Sequence, residues 1–138
     1  MRESPDVTAE ILVADDSTFF RRGLRLQLEA MGHKVEEAED GFQALERFQM
    51  KPPHLVILDL IMTGMFGAEV VARMIQMRPA TLVVIATSDI QDETVDKVRA
   101  LGAKAILIKP VAQSKLAETV SSVLAGGTMW DPPPPNPV

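Results

Sequence analysis

The sequence predicts an α/β protein of the doubly wound kind, with one parallel sheet covered by helices on both faces. Three observations predict it. Short apolar runs alternate with longer amphipathic segments through residues 10 to 125. Three of the five runs are nearly all apolar and β-branched, as strands buried on both faces are. The segments between them place apolar residues at helical spacing. Such alternation implies a parallel sheet, and right-handed crossovers wind it about both faces.

The expected strands are "EILVA" (10–14), "KVEEA" (34–38), "HLVIL" (54–58), "TLVVIA" (81–86) and "AILI" (105–108). "KVEEA" is polar and belongs near an edge, and the charges of "KVEEAED" read as a solvated edge. In the first helix Phe20, Leu24, Leu28 and Met31 share a face, and Gly32 follows as a C′ residue. Asp40 can cap a second helix carrying Leu45 and Phe48, which "PP" at 52–53 stops. Residues 67 to 77 form a third, with Val70, Val71, Met74 and Ile75 clustered. The fourth runs from about Asp92 to Leu101, with Gly102 after it, and the fifth holds Leu116, Val120, Val123 and Leu124.

A length of 138 residues favours one domain, able to hide roughly two-thirds of its unfolded surface. We expect an extension at 1–9, the domain at 10–125 and a Gly/Pro-rich tail or linker at 126–138. The tail holds two glycines and then five prolines in its last seven residues; extended polyproline II or disorder is expected there, with no contribution to the core. A net charge of −5 argues against non-specific binding to nucleic acid or anionic membrane. With no cysteine, a disulfide framework and a thiolate zinc site are excluded. No signal-peptide stretch and no membrane-length apolar run is present, so a cytoplasmic protein is expected.

Ligands of doubly wound folds sit beyond the carboxyl ends of the strands. Asp15 and Asp16 follow the first strand, and Asp59 closes the third, interrupting "HLVILDLIM". Thr87, Ser88 and Asp89 follow the fourth, and Lys109 and Pro110 the fifth. Three carboxylates gathered at one rim repel: two unit charges roughly 4 Å apart interact by about 4 kcal/mol at an effective dielectric of 20. They call for a cation, and an all-oxygen set suits Mg²⁺. Lys109 adds a point charge with three donors, and Thr87 a hydroxyl. This is equipment for phosphoryl transfer to a carboxylate. Each residue also has a plain structural reading: Asp is a common N-cap, and a threonine or "KP" can serve a loop. The conjunction at four strand ends is what favours function.

The pieces "ILVADDS", "VILDLIMTGMFG", "IATS" and "ILIKP" occur in this order over residues 10 to 125. They resemble the receiver domain of bacterial response regulators, the CheY-like family. The resemblance implies a flavodoxin-like sheet of five strands in the order 2-1-3-4-5 with five helices. It implies that Asp59 accepts a phosphoryl group from a histidine kinase or phosphotransfer protein. Asp16 would then bind Mg²⁺ directly and Asp15 mainly through water, with Asp59 and the backbone carbonyl of Ile61 as further ligands. Thr87 and Lys109 would contact the phosphoryl group. Ile61 and Asp89 stand where dephosphorylation is tuned, and Ile61 would shield the phosphoryl group and prolong its life. Phe19 is set on a flank of the first helix for partner docking, with Pro110 beside it. A downstream effector is implied but not named by the sequence, as is a monomer or a phosphorylation-dependent dimer. Where the family carries a loop proline and aspartate, this chain has Thr63 and Phe66. Its aromatic switch position is Ile106, and Val111 follows "KP". Switching is therefore expected to rely on Thr87 and the loop after the fourth strand.

Two other functions carry signatures of their own. A haloacid-dehalogenase-like hydrolase would carry a second aspartate two residues after the first, where Ile61 stands. A phosphorylation-independent interaction module would be expected to have lost the acidic pair, the acceptor or the lysine. His33 and His54 lack a nearby His or Cys and read as solvated or hydrogen-bonded; the methionines at 62, 65, 74 and 77 read as packing. Trp130 is a lone aromatic near the prolines and is not singled out as a tail anchor, and no G-x-G-x-x-G marks a dinucleotide site.

Overall fold

The computed structural model describes residues 8–88 and 91–130. Its elements are β1 (Glu10–Ala14), α1 (Thr18–Ala30), β2 (Lys34–Ala38), α2 (Gly41–Met50), β3 (Leu55–Leu58) and α3 (Gly67–Met77). They continue as β4 (Leu82–Thr87), α4 (Asp92–Leu101), β5 (Ala105–Ile108), α5 (Gln113–Leu124) and β6 (Met129–Trp130). All strand pairs are parallel, in the order β2-β1-β3-β4-β5-β6.

The expected signals act locally. Asp40 Oδ1 accepts the Gln43 N–H at 2.8 Å and caps α2. Gly32 follows the C-cap of α1 with φ +96°, and Gly102 ends α4 with φ +113°. Both lie in the left-handed region that favours glycine.

Alternating strand residues fill two apolar layers. One packs Leu12, Val56, Leu58, Val83, Ile85 and Ile106 against α2, α3 and α4. The other packs Ile11, Val13, Ile57, Val84 and Leu107 against α1 and α5. Each fully buried Leu or Ile contributes about 1.5–3 kcal/mol. β2 lies at an edge, as its polarity requires. Its Glu37 is not solvated, however: it receives Arg21 Nε at 2.6 Å and Arg25 Nη1 at 3.0 Å.

Five strands were expected and six are found. Met129 and Trp130 belong to the segment read as a non-contributing tail, yet they pair with Ala105 and Ile106. Trp130 packs on the α4 side of the sheet and Met129 on the α5 side. The prolines at 132–137 lie outside the described residues.

Both histidines are hydrogen-bonded at the start of β1. His33 Nδ1 accepts the Ala9 N–H at 3.1 Å, and His54 Nδ1 accepts the Glu10 N–H at 2.9 Å. Burial lowers the His33 pKa from its ordinary 6.5, and protonating Nδ1 would also lose its acceptor. A group whose folded pKa is depressed gives stability that is complete above the unfolded value and lost as pH falls through the folded one. The melting temperature of the protein should therefore drop more between pH 7 and pH 5 than that of His33→Gln, which keeps an acceptor and cannot titrate. Parallel melting curves for the two would remove the His33 assignment.

Candidate functional site

β1, β3, β4 and β5 end at one rim. Asp15 is the first residue past β1, Asp59 the first past β3, Thr87 the last of β4 and Lys109 the first past β5. The strand ladder extends one step into these loops. The Asp15 N–H donates to Ala38 O and the Asp59 N–H to Ala14 O, both at 3.1 Å. Sheet pairing therefore fixes the main chain of both carboxylates.

Lys109 is the hub. Its Nζ lies 2.8 Å from Asp15 Oδ2 and 2.8 Å from Asp59 Oδ2. It also sits 4.1 Å from the centre of the Phe20 ring, a cation–π contact. Asp15 is 1% exposed and Asp59 7%. Their other oxygens accept main-chain donors: Asp15 Oδ1 from Ser17 N–H at 2.8 Å, and Asp59 Oδ1 from Ile61 N–H at 3.2 Å. Thr87 is fully buried, and its carbonyl accepts the Lys109 N–H at 3.0 Å.

The cap of α1 is Ser17, whose Oγ accepts the Phe20 N–H at 3.2 Å. The aspartates before it are thus not N-caps. Burial pushes the Asp15 carboxyl above its usual range, Lys109 and the Ser17 N–H pull it back without cancelling the rise, and the Asp59 charge adds to it. Burial alone would lower Lys109, but its hydrogen bonds to Asp15 and Asp59 outweigh that and hold the ammonium above its ordinary value. A folded pKa above the unfolded one means that ionising Asp15 at neutral pH lowers stability.

Asp16 is exposed and stands apart from this pair, its Oδ2 accepting the Thr63 hydroxyl at 3.2 Å. Among the described residues, no group of three or more His, Cys, Asp or Glu side chains forms a ready-made metal cluster. The donors nevertheless suit a hard cation: they are all oxygens, and two carboxylates, Asp15 and Asp59, face one ammonium.

Two residues that the sequence did not single out position this site. Arg21 is buried on α1, and its Nη1 donates to the Asp15 carbonyl at 2.7 Å. Gly67 starts α3 against the main chain of Asp59 and Leu60, where a Cβ would lie 2.6 Å from Leu60 Cα. Nothing in the local pattern marks Arg21. A glycine opening a helix that has no side-chain cap is the available hint for Gly67.

The sequence model of the response regulator receiver domain matches residues 11–121. The chain belongs to this family. The receiver is 31% identical over 120 residues to protein PilH of Pseudomonas aeruginosa, covering 86% of this chain and 99% of that one. It is 30% identical over 115 residues to the chemotaxis protein CheY of Halobacterium salinarum, covering 83% and 96%. Among solved structures it is similar to the chemotaxis response regulator CheY4 of Vibrio cholerae, with a TM-score of 0.78, 30% identity and coverage of 85% and 99%. The receiver is thus a signalling domain of two-component response regulators, with the flavodoxin-like topology of its relatives. Among its described residues, no helix is long and apolar enough to cross a membrane.

Around the rim, Phe19 is 91% exposed on the flank of α1, and Ile61 is 55% exposed two residues past Asp59. Phe66 is also largely exposed, at the N-cap of α3. Pro110 is exposed and lines an open groove with Phe19 and Phe20. Ile106 is fully buried, between Ile85 of β4 and Trp130 of β6 in the sheet register. Asp89 lies outside the described residues.

Proposed function

We propose that the receiver takes a phosphoryl group onto the Asp59 carboxylate from a phosphohistidine on a sensor kinase or phosphotransfer protein. One observation carries the reading. Asp59 is the buried carboxylate at the strand-end rim that shares an ammonium with a second buried carboxylate, so its side chain is held in place and partly neutralised. In the transfer, a carboxylate oxygen forms a bond to phosphorus, the phosphorus–nitrogen bond breaks, and the imidazole leaves with its electron pair. Lys109 holds the Asp59 oxygen and offers its ammonium to the incoming phosphoryl oxygens. Asp15, Asp16, Asp59 and the carbonyl of Ile61 would hold Mg²⁺. When bound, the metal supplies positive charge against the carboxylates and the phosphoryl oxygens. Incubation with Mg²⁺ and a small phosphodonor, followed by intact-mass measurement, tests the assignment: one added phosphoryl group supports it, and no metal-dependent gain removes it.

Switching is assigned to Thr87 and the residues leading into α4. Ile106 is already fully buried and stiff at χ1, so it has no exposed pose to give up. A shift needs contacts that differ between two states, and the Thr87 hydroxyl, beside the acceptor rim, supplies one. Amide shifts at 87–98 on adding a phosphoryl mimic, with Ile106 keeping its rotamer, are the signature of this arrangement.

The donor docks over Phe19 and Pro110. An aromatic side chain that is nine-tenths exposed suits an interface anchor. Phe19→Ala should slow transfer from a phosphohistidine donor by about tenfold, a typical anchor loss of 1–2 kcal/mol. Labelling by a small phosphodonor should be unchanged. An equal loss with both donors would place Phe19 in the fold of the rim instead.

A further inference from the structure

α3 opens on a residue that cannot cap it. Its N-cap is Phe66, with extended backbone and no side-chain cap hydrogen bond. Asp, Asn, Ser and Thr are the residues that serve this position. The Phe66 ring is also 71% exposed. Phe42 is another exposed aromatic, but its ring covers Gly64, where an added Cβ would meet it at 3.0 Å. Phe66 gives up a cap and leaves its ring in water. A residue that breaks a local rule with no packing return is of the kind found at functional surfaces.

Phe66 borders the groove between α3 and α4, an open cleft of about 640 Å³. Both helices start from the strand-end rim, so their first turns lie together at one end of it. Ile61, also exposed, lines the cleft with Phe66. Ala68 and Ala72 stand one turn apart on the α3 wall, and their small side chains let a helix lie close. On the α4 wall Glu93 and Lys97 are one turn apart, and neither has an ion pair among the described residues. Glu69 of the α3 wall is already held by Arg73 at 2.8 Å.

We infer that this groove is a docking site for an amphipathic helix of a partner protein, with Phe66 as the anchor on the receiver. Such a helix lays apolar residues spaced by three and four along the cleft. Its charges follow from α4: a lysine or arginine meets Glu93, and a glutamate or aspartate one turn away meets Lys97. An apolar strip alone would admit any hydrophobic segment. Opposite charges one turn apart select a helix and fix its direction. The groove adjoins the acceptor, since the Ile61 N–H donates to Asp59 Oδ1 at 3.2 Å, but docking needs no phosphoryl group. Binding measured without a phosphodonor is therefore independent of the role of Asp59.

Fluorescence anisotropy of a labelled model helix of about 18 residues, long enough to be helical, tests this on the full chain. The probe carries a leucine stripe at helical spacing, a lysine and a glutamate one turn apart on its flank, and alanine and glutamine elsewhere. Wild type should bind it saturably, with amide shifts at Ile61, Phe66, Glu93 and Lys97. Phe66→Asp should weaken binding about tenfold or more, the loss of an anchor. It should melt no lower than wild type, because aspartate supplies the missing cap. A probe with lysine and glutamate exchanged should bind wild type about threefold more weakly at low salt, and the double variant Glu93→Lys, Lys97→Glu should reverse that order. Absence of saturable binding would overturn the proposal, as would a Phe66→Asp chain that binds like wild type. A lower melting temperature in Phe66→Asp would place the ring in the fold of α3 and overturn it too. If that variant does not fold, Ala72→Gln decides: it fills the groove with a residue that helices accept, and undiminished binding would remove the site. Equal binding of the two probes would overturn the charge pairing and with it the occupant. Self-association of wild type in sedimentation velocity, abolished by Phe66→Asp, would replace the partner helix with a second copy of the chain.

Discussion

Asp59→Asn is expected to gain no mass from a small phosphodonor under conditions that label the wild-type receiver. The loss should be complete rather than partial. An amide has no anionic oxygen to attack phosphorus, and Asp15, the only other buried carboxylate at the rim among the described residues, is closed in by Lys109 and the Ser17 N–H. The substitution should leave the fold intact, because the Ile61 N–H and Lys109 both have other groups to meet: water for the first, Asp15 for the second. Exposed Asp16 is the informative alternative. If Asp59→Asn were labelled at the wild-type rate, peptide mapping would locate the group elsewhere and the assignment of Asp59 would be wrong.

Gly67→Ala is expected to destabilise the receiver by about 3 kcal/mol, at the upper end of ordinary overpacking. The added methyl would press on the carbonyl of Asp59 and stand 2.6 Å from Leu60 Cα and 3.0 Å from Leu58 Cδ1. Two of these neighbours are main chain and cannot rotate away. The Gly67 N–H also donates to Leu60 O at 2.8 Å, so α3 cannot withdraw without losing that bond. The main chain that must give is the chain that presents Asp59, and phosphodonor labelling should slow together with the loss of stability. Gly23→Ala is the control. Gly23 lies within α1 with no atom within 4 Å of an added Cβ, and alanine there should stabilise by about 0.8–1 kcal/mol. Urea unfolding of both variants separates the two outcomes. A neutral Gly67→Ala would mean that the β3–α3 loop is softer than its packing implies.

The rim was legible because its residues contradict their surroundings. Asp59 follows four buried apolar residues, and Asp15 follows four more. A carboxylate after such a run has no packing role, and strand alternation brings both to one side. The strands were legible for the complementary reason: burial on both faces leaves little room for anything but apolar residues. Where three-dimensional partners decide, the pattern is silent. Arg21 adjoins the apolar face of α1 that carries Phe20 and Leu24. Its burial depends on Glu37 and the Asp15 carbonyl, neither of which the helix itself reveals. Asp16 reads like its neighbour Asp15, yet the main chain turns it toward Thr63. β6 is too short to show a period, and glycines precede it. Its support comes from Arg99 and Thr119, which lie on two different helices.

The placement of Trp130 also determines how this protein can be watched. The chain has one tryptophan and no tyrosine, so its near-ultraviolet emission comes almost wholly from a single indole. That indole is half-buried beneath a guanidinium, on the strand next to Ile106 and two register positions from the pair of Thr87 and Ile108. Light from this ring reports the polarity of one corner of the sheet without a dye or a label. Its lifetime and wavelength follow the seating of the last strand in real time, in the unmodified protein and at concentrations too low for scattering or sedimentation.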